Sequence, residues 1–345
     1  MAPEALSIVQ KTPPVDDRPL WDVVIGLYGN QALLLAHHLT VFELLADGPR
    51  SLSDICEALK IRERPADAIL TTATSLGFLS LKEGFYALTL ISETYLLAKS
   101  PHYFGHFWDL IIENDQFHAF ASLKKAILTD SPQSYGKSNI YHTHLEQAEV
   151  LKKFTTGMHS ISITGAFVWP DAIDLSSHRV MIDIAGTSPA EAIGAALKLP
   201  NLKVFFLDFP QVCALAQPYI NQYGLTDRIE TVGMNIWCDR WPTGDLHFFS
   251  NIFHEWPMEK CHFLTAKSFN SLESGGRIVI HEVLYNDEKT GPFFPAAYSM
   301  MMMAWTEGRQ YSGKELATML KEIGFEDIEV HKVFGYYSIV TGRKP

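Results

Sequence analysis

The spacing of hydrophobic residues near the start of the chain is that of an amphipathic helix. From Trp21 to Leu39 they recur at steps of three and four residues. Ser51 precedes the apolar segment Leu52–Leu59, and Asp54 follows three residues later, which predicts a helix that begins with a capping box.

The next segment predicts a helix followed by a two-stranded hairpin. The helix covers Pro65–Leu76 and ends at Gly77, and the strands Phe78–Leu81 and Phe85–Leu88 flank a three-residue turn. Two helices and a two-stranded wing make a winged-helix unit. Its helix carries no Lys or Arg after Arg64, and DNA contacts need such cations, so we expect an oligomerisation unit.

Residues 101 to 165 predict further helices that are rich in aromatic residues. Some of these side chains belong to the core, and others could line a pocket for a flat organic substrate.

From Arg179 the pattern changes to strands that alternate with helices. This order predicts an α/β fold with a parallel sheet, helices on both faces and ligands at the carboxyl ends of the strands. The predicted strands are Val180–Ile184, Val204–Leu207, Leu246–Phe249, Arg277–His281, Asp327–Val330 and Tyr337–Thr341.

Composition narrows the possible functions. Hydrophobic residues make up 47% of the 345 residues, which is enough for a large core, and the formal net charge of −11 argues against binding to nucleic acid or to an anionic membrane. The four cysteines form no CxxC pair, which is typical of reduced thiols in a cytoplasmic protein, and we expect no metal. No apolar run reaches the roughly 18 residues of a membrane span.

These patterns predict four segments. They are a flexible tail over 1–18, a winged-helix unit over 19–100, a helical linker over 101–178 that contributes to the substrate pocket, and an α/β domain over 179–345.

Two acidic residues follow the first two strands of the α/β domain. Asp183 opens the small-residue turn to Pro189, which contains Gly186 and leads into a helix, an arrangement typical of nucleotide sites. Asp208 ends the second strand, where a carboxylate can accept hydrogen bonds from ribose hydroxyls. The alternative for Asp208 is a helix cap before Pro210.

His254 and Glu282 are the candidate catalytic pair. Each follows a predicted strand, so both lie at the ligand-binding edge of the sheet. Histidine titrates near neutral pH and can act as a general base, and a carboxylate can orient its ring. The alternative is a structural role, since the chain contains 14 histidines.

The chain resembles the two-domain O-methyltransferases of the caffeate and hydroxyindole type, a family that depends on S-adenosylmethionine. The resemblance runs from about Trp21 to the end and rests on the Asp-Phe-Pro-Gln-Val stretch at 208–212, on His254-Glu255-Trp256 with Cys261, and on Ser-Gly-Gly-Arg at 274–277. It implies a Rossmann-like class I methyltransferase domain and a winged-helix dimerisation domain that forms a homodimer.

The resemblance also implies roles for individual residues. His254 would accept the proton of a phenolic or enolic hydroxyl on a small substrate, and Glu282 would orient it. Residues expected to bind the cofactor are Asp183, Gly186, Asp208, Phe209, Asn235, Ile236 and Ser250. Residues expected to line the substrate pocket are Trp108, Phe117, Phe154, Met158, Trp256, Met300 and Met303.

Several positions depart from the family pattern. Three loop glycines are replaced by Ala185, Thr187 and Pro189, and glycine normally permits the positive φ and close approach that the cofactor requires. Asn235 stands where the family has an acid beside adenine, and Gln310 stands where it has a second catalytic glutamate.

These departures leave three hypotheses. The first is an O-methyltransferase that uses His254. The second is a repurposed enzyme with altered or lost S-adenosylmethionine binding, in which the same pocket performs a cyclisation, isomerisation or elimination. The third is a non-catalytic binding or regulatory protein, which the negative charge and the retained His254 and Glu282 disfavour.

Overall fold

A computed structural model of the chain describes residues 14–134 and 145–345. The chain divides into two compact units, the first ending at Gly105 and the second running from His106 to Pro345. Of the predicted tail over 1–18, residues 1–13 lie outside the described part.

The first unit is a set of helices beside a small antiparallel sheet of order β1-β3-β2. Its elements are α1 (Arg18–His38), α2 (Val41–Leu44), β1 (Arg50–Ser51), α3 (Leu52–Leu59), α4 (Glu63–Ser75), β2 (Leu79–Lys82), β3 (Phe85–Leu88) and α5 (Leu90–Tyr95). The predicted capping box is present, since Ser51 and Asp54 each accept from the backbone of the other. The predicted winged helix is therefore confirmed. The pattern did not predict the two-residue β1.

Helix α1 exposes a large apolar surface. Its exposed hydrophobic residues are Leu20, Trp21, Val23, Val24, Ile25, Leu27, Tyr28 and Leu35. Soluble monomers rarely leave so many large apolar side chains together in water, and such patches mark interaction surfaces.

The second unit begins with helices and continues into the α/β domain. The helices are α6 (Gly105–Glu113), α7 (Asp115–His118), α8 (Phe120–Thr129) and α9 (Ala148–Ala166), the last followed by a short 3₁₀ turn at Trp169–Asp171.

A seven-stranded sheet of order β6-β5-β4-β7-β8-β10-β9 forms the centre of the second unit. Its elements are β4 (Val180–Ile184), α10 (Ala190–Lys198), β5 (Lys203–Asp208), α11 (Pro210–Gln222), β6 (Ile229–Gly233), β7 (Gly244–Ser250), α12 (Met258–Ser271), β8 (Leu272–Val283), α13 (Phe293–Trp305), α14 (Gly313–Ile323), β9 (Glu326–Lys332) and β10 (Tyr337–Arg343). Two clusters of buried hydrophobic side chains belong to this unit, and they include Phe206 and Phe248 in one and Phe249 and Ile280 in the other.

The predicted parallel sheet is confirmed for five strands, but one edge of the sheet is antiparallel. Strands β4 to β8 pair in parallel, but β10 runs antiparallel to both β8 and β9. Only residues 333–336 separate β9 from β10, and a parallel pair needs a crossover of about a dozen residues or more. The pattern also missed β6, an edge strand whose side chains are largely in contact with solvent.

Within residues 14–134 and 145–345, none of the helices combines the length and apolar character that crossing a bilayer requires.

Gly194 permits the close approach of α10 to α9. A Cβ built on Gly194 would overlap the backbone carbonyl group of Ala166, the last residue of α9. We expect Gly194→Ala to destabilise the protein by about 1–3 kcal/mol, because the clash exceeds the gain in helix propensity. Thermal unfolding should show a midpoint roughly 2–10 °C lower.

Gly165 provides the matched control, because it also lies in a helix and a Cβ there would meet nothing within 4 Å. Gly165→Ala should leave the midpoint unchanged or raise it slightly. Equal midpoints for the two variants would contradict this account of the α9–α10 packing.

Candidate active site

The loop between β4 and α10 keeps a left-handed backbone without the glycines that favour it. Ala185 has φ 58° and Thr187 has φ 57°. Such angles cost a non-glycine residue roughly 1–2 kcal/mol. The loop therefore has a left-handed backbone at both positions, although alanine and threonine stand where the family has glycine.

Gly186, which stands between the replaced glycine positions, has no room for a side chain. A Cβ there would lie 2.8 Å from the ring of Phe206 and 3.2 Å from Oδ2 of Asp183. Ser188, two residues later, is also held in place, since its hydroxyl lies 2.7 Å from Nδ1 of His159 on α9. Packing and side-chain hydrogen bonds thus fix the loop.

Asp208 fastens this loop to the end of β5. Its Oδ2 accepts from the N–H of Thr187 at 2.9 Å, and its Oδ1 accepts from the N–H of Phe209 at 2.7 Å. Burial raises the pKa of Asp208 to about 6, against the lowering effect of these hydrogen bonds. The helix-cap alternative is wrong, because α11 has no side-chain cap.

A cavity opens beside Asp208 and has mostly apolar walls. It encloses about 920 Å³, including its open mouth. Its lining residues include Asp208, Phe209, Met234, Asn235, Ile236, Trp237 and Trp256. A carboxylate at one side of an apolar slot suits a nucleoside, whose base is flat and whose sugar carries hydroxyls.

His254 and Glu282 form a buried pair at the ends of β7 and β8. Nδ1 of His254 lies 2.8 Å from Oε2 of Glu282, and only 3% and 2% of these residues are exposed. Oε1 of Glu282 accepts from the backbone N–H of Phe253 at 2.9 Å and of His254 at 3.3 Å. One carboxylate therefore orients both the ring and the backbone of the turn that carries it.

The contact with Glu282 favours the protonated form of His254. Burial disfavours the imidazolium, but the charge of Glu282 and its hydrogen bond favour it more strongly, so the pKa of His254 is raised above 6.5. Because Glu282 occupies Nδ1, Nε2 is the ring nitrogen that can exchange a proton with a ligand.

His254 borders a second cavity of about 850 Å³. Its lining residues include Phe154, Met158, Ala185, Gly186, Thr187, Glu191, Ser250, Asn251, His254, Tyr298, Met301, Met302 and Trp305. The loop residues Ala185 and Thr187 line both cavities, so the two adjoin at this loop.

Some of the remaining predicted site residues line one of the two cavities, and others line neither. Phe154 and Met158 line the cavity beside His254, and Trp256 lines the one beside Asp208 instead. Asp183 is fully buried below the loop, outside the linings of both cavities. The two linings also lack four residues predicted to contact the substrate, namely Trp108, Phe117, Met300 and Met303.

Gln310 is fully buried, and within the described residues neither polar atom of its side chain has a hydrogen-bond partner. The loop before it packs closely on the His254 turn, since a Cβ on Gly308 would overlap the carbonyl oxygen of His254. The structure shows no hydrogen bond from the Gln310 side chain to His254.

The sequence prediction missed several polar residues that line the cavity beside His254. Glu191, Asn251 and Tyr298 all lie there, and the ring of Tyr298 meets that of His254 edge-on at 5.3 Å. Glu191 could have been noticed as an acidic residue within an otherwise apolar helix segment. Asn251 and Tyr298 carry no comparable signal.

Comparison with known families agrees with this arrangement. Residues 120–326 match the model of an O-methyltransferase domain, and residues 21–98 match an O-methyltransferase dimerisation domain. The chain belongs to the O-methyltransferase family. The predicted enzyme class and the predicted order of the two domains are confirmed.

Individual relatives of this O-methyltransferase align along almost its whole length. It is 31% identical to the 3-hydroxy-5-methyl-1-naphthoate 3-O-methyltransferase of Streptomyces sahachiroi, over 96% of this chain and 97% of the relative. It is 28% identical to the acetylserotonin O-methyltransferase of Gallus gallus, over 92% and 95% of the two chains.

Solved structures show the same fold. The crystal structure of human N-acetylserotonin methyltransferase in complex with SAM matches with a TM-score of 0.86 at 23% identity, covering 97% of this chain and 99% of that one.

The loop geometry of this O-methyltransferase predicts that glycine at position 187 would be tolerated. In Thr187→Gly, relief of the left-handed strain should offset the added flexibility of the unfolded chain, so unfolding free energy should change by less than about 1 kcal/mol. Chemical denaturation measures this change.

Gly186→Ala is the matched comparison, because its Cβ would meet the ring of Phe206. The free energy of unfolding of this variant should be about 1–3 kcal/mol lower than that of the wild type. A larger loss in Thr187→Gly than in Gly186→Ala would contradict the view that packing sets the loop.

Proposed function

We propose that this O-methyltransferase moves the methyl group of S-adenosylmethionine to a phenolic or enolic hydroxyl of a small molecule, with His254 as the general base. The observation that carries the proposal is the buried His254–Glu282 pair, whose His254 borders one cavity while the cavity beside Asp208 adjoins it. S-adenosylmethionine, when bound, supplies an activated methyl group on a sulfonium.

The residues around the loop fit this cofactor. Each oxygen of Asp208 accepts one backbone N–H and keeps a lone pair for a ribose hydroxyl. The apolar side chains of Phe209, Met234 and Ile236 suit a purine ring. We therefore assign the cavity beside Asp208 to the adenosine half, and the loop at 185–187 to the junction with the methionine half.

His254 and Glu282 then supply the proton transfer. The carboxylate of Glu282 accepts the Nδ1 hydrogen, so neutral His254 presents its basic Nε2 to a substrate hydroxyl. Once His254 has taken the proton, the same carboxylate stabilises the imidazolium. The apolar walls hold the acceptor oxygen in place and exclude water.

The second cavity suits a flat, largely apolar acceptor. Aromatic and methionine side chains form most of its lining, which favours a small aromatic or enolic substrate. The naphthoate in the name of the Streptomyces relative is of this kind. We propose hydroxylated bicyclic aromatics as the first compounds to test.

We also propose that the protein is a homodimer through its first unit. That unit matches an O-methyltransferase dimerisation domain, and α1 exposes the apolar side chains that a second copy would cover. A cytoplasmic location stays a prediction from the cysteine pattern.

The catalytic assignment predicts how pH affects methyl transfer. His254 must be neutral to accept a proton, and its pKa is raised, so kcat/KM should fall as the pH drops through a midpoint above 6.5. In Glu282→Gln the stabilising negative charge is lost, so the midpoint should move to lower pH and the plateau should fall. In His254→Ala, kcat/KM should be about 10²–10⁴-fold lower than in the wild type.

Calorimetric titration with S-adenosylhomocysteine provides the control. Wild type and both variants should bind it with similar affinity, because neither residue contacts the adenosine cavity. No binding by wild type at millimolar ligand would reject the methyl-transfer proposal in favour of the repurposed enzyme. Wild-type turnover in His254→Ala would reject the role of His254.

The dimer proposal predicts the effect of a charge on α1. Val24 is 52% exposed in the apolar patch, so Val24→Asp would place a carboxylate inside the interface and should weaken dimerisation at least about 30-fold. Sedimentation equilibrium should detect monomer at micromolar concentration. Lys82→Asp, at an exposed polar position of β2, should remain dimeric like the wild type. A dimeric Val24→Asp would argue against α1 as the interface.

A further inference from the structure

Glu191 is a buried carboxylate that the proposed reaction does not yet use. It lies in the first turn of α10, is only 5% exposed and lines the cavity beside His254. Its Oε1 lies 3.8 Å from Nδ1 of His281, and its Oε2 has no hydrogen-bond partner among the described residues. A buried polar atom without a partner is costly, so a ligand is expected to satisfy it.

Nε2 of His281 is unpartnered among the described residues, and several nearby oxygens are unpartnered hydrogen-bond acceptors. Within the described residues they include both carboxylate oxygens of Asp183 and Oδ1 of Asn251, which lines the same cavity. The nearby imidazole of His281 is already engaged through Nδ1 with the hydroxyl of Ser250 at 2.9 Å. Unpartnered acceptor oxygens therefore predominate around Glu191, which suits a ligand that donates hydrogen bonds.

The titratable groups that act on Glu191 supply no positive charge. Burial raises the pKa of Asp183 to about 8, with a further contribution from the charge of Asp208. Burial and the charge of Asp183 hold the pKa of Glu191 well above its usual value. Burial lowers the pKa of His281 to about 3, so this ring stays neutral near pH 7 and supplies no counter-charge.

The adjoining loop has few free donors to offer an anion. The N–H of Ala185 donates to Leu207, that of Thr187 donates to Asp208, and that of Ser188 donates to Gly186. Pro189 has no N–H. A ligand ammonium would find unpartnered acceptor oxygens at Glu191 and Asn251.

We propose that the carboxylate of Glu191 binds the α-ammonium group of the methionine half of S-adenosylmethionine. This inference rests on the proposed function, which brings that half of the cofactor to the loop at 185–187. An ammonium has three N–H donors, no acceptor and a positive charge, which matches the unpartnered oxygens of Glu191 and Asn251. Glu191 thereby anchors the cofactor at the loop in which three family glycines are replaced.

The test compares two ligands on two proteins by calorimetry. The ligands are S-adenosylhomocysteine and its desamino analogue, which differ only in the α-ammonium group. Glu191→Gln keeps the size of the side chain and removes its charge. We expect this change to weaken the binding of S-adenosylhomocysteine at least about 30-fold. The binding of the desamino analogue should weaken less than about 3-fold, because only the first ligand loses a charge-assisted hydrogen bond.

Glu259→Gln is the matched control, since Glu259 is an exposed glutamate in the first turn of α12. It should bind both ligands like the wild type. The desamino analogue also reports folding, because a misfolded Glu191→Gln would lose both ligands.

Each remaining outcome overturns the proposal. If Glu191→Gln binds S-adenosylhomocysteine like the wild type, or loses both ligands equally while thermal unfolding shows an intact fold, Glu191 does not bind the ammonium. If wild type binds neither ligand, the cofactor assignment itself fails, and the role of Glu191 fails with it. The two failures are thus distinguishable.

Discussion

The carboxylate of Glu282 is the group on which the catalytic site depends. It accepts hydrogen bonds from the ring of His254 and from two backbone N–H groups of the same turn. Removing it would leave buried donors unpaired and the imidazole without its orienting partner. The pairing of β7 with β8 brings the two segments together, with Ser250 opposite His281 in the residues just before the pair.

Three non-glycine residues with a left-handed backbone lie at the same cavities. Ala185, Thr187 and Asn251 have φ values of 57–58°, and all three line the cavity beside His254. Such strain persists only where surrounding contacts outweigh it. Here Asp208 holds the N–H of Thr187, and Tyr337 accepts from the side chain of Asn251. Replacement of the loop glycines has therefore kept the shape of the site at a cost in local strain.

Much of the fold followed from local signals. Ser51 caps α3, and the bounds of β4 were predicted to the residue, because capping and burial act within a few positions of the chain. The short connection between β9 and β10 already required an antiparallel pair, but the antiparallel pairing of β10 with β8 could not be read from a strand pattern, which carries no direction relative to a distant neighbour. The cavities were harder still, since Trp256 and Met158 lie in the linings of different cavities although the same chemistry suggested one pocket for both.

The sequence by itself determined the family, the order of the domains and the positions of Asp208, His254 and Glu282 after predicted strands. Those features depend on residue type and spacing, which are visible along the chain. Only the tertiary structure decided that the loop at 185–187 remains left-handed without its glycines, and that Glu191 lies buried with an unpartnered oxygen. Both depend on atoms brought close by folding, which no linear pattern records.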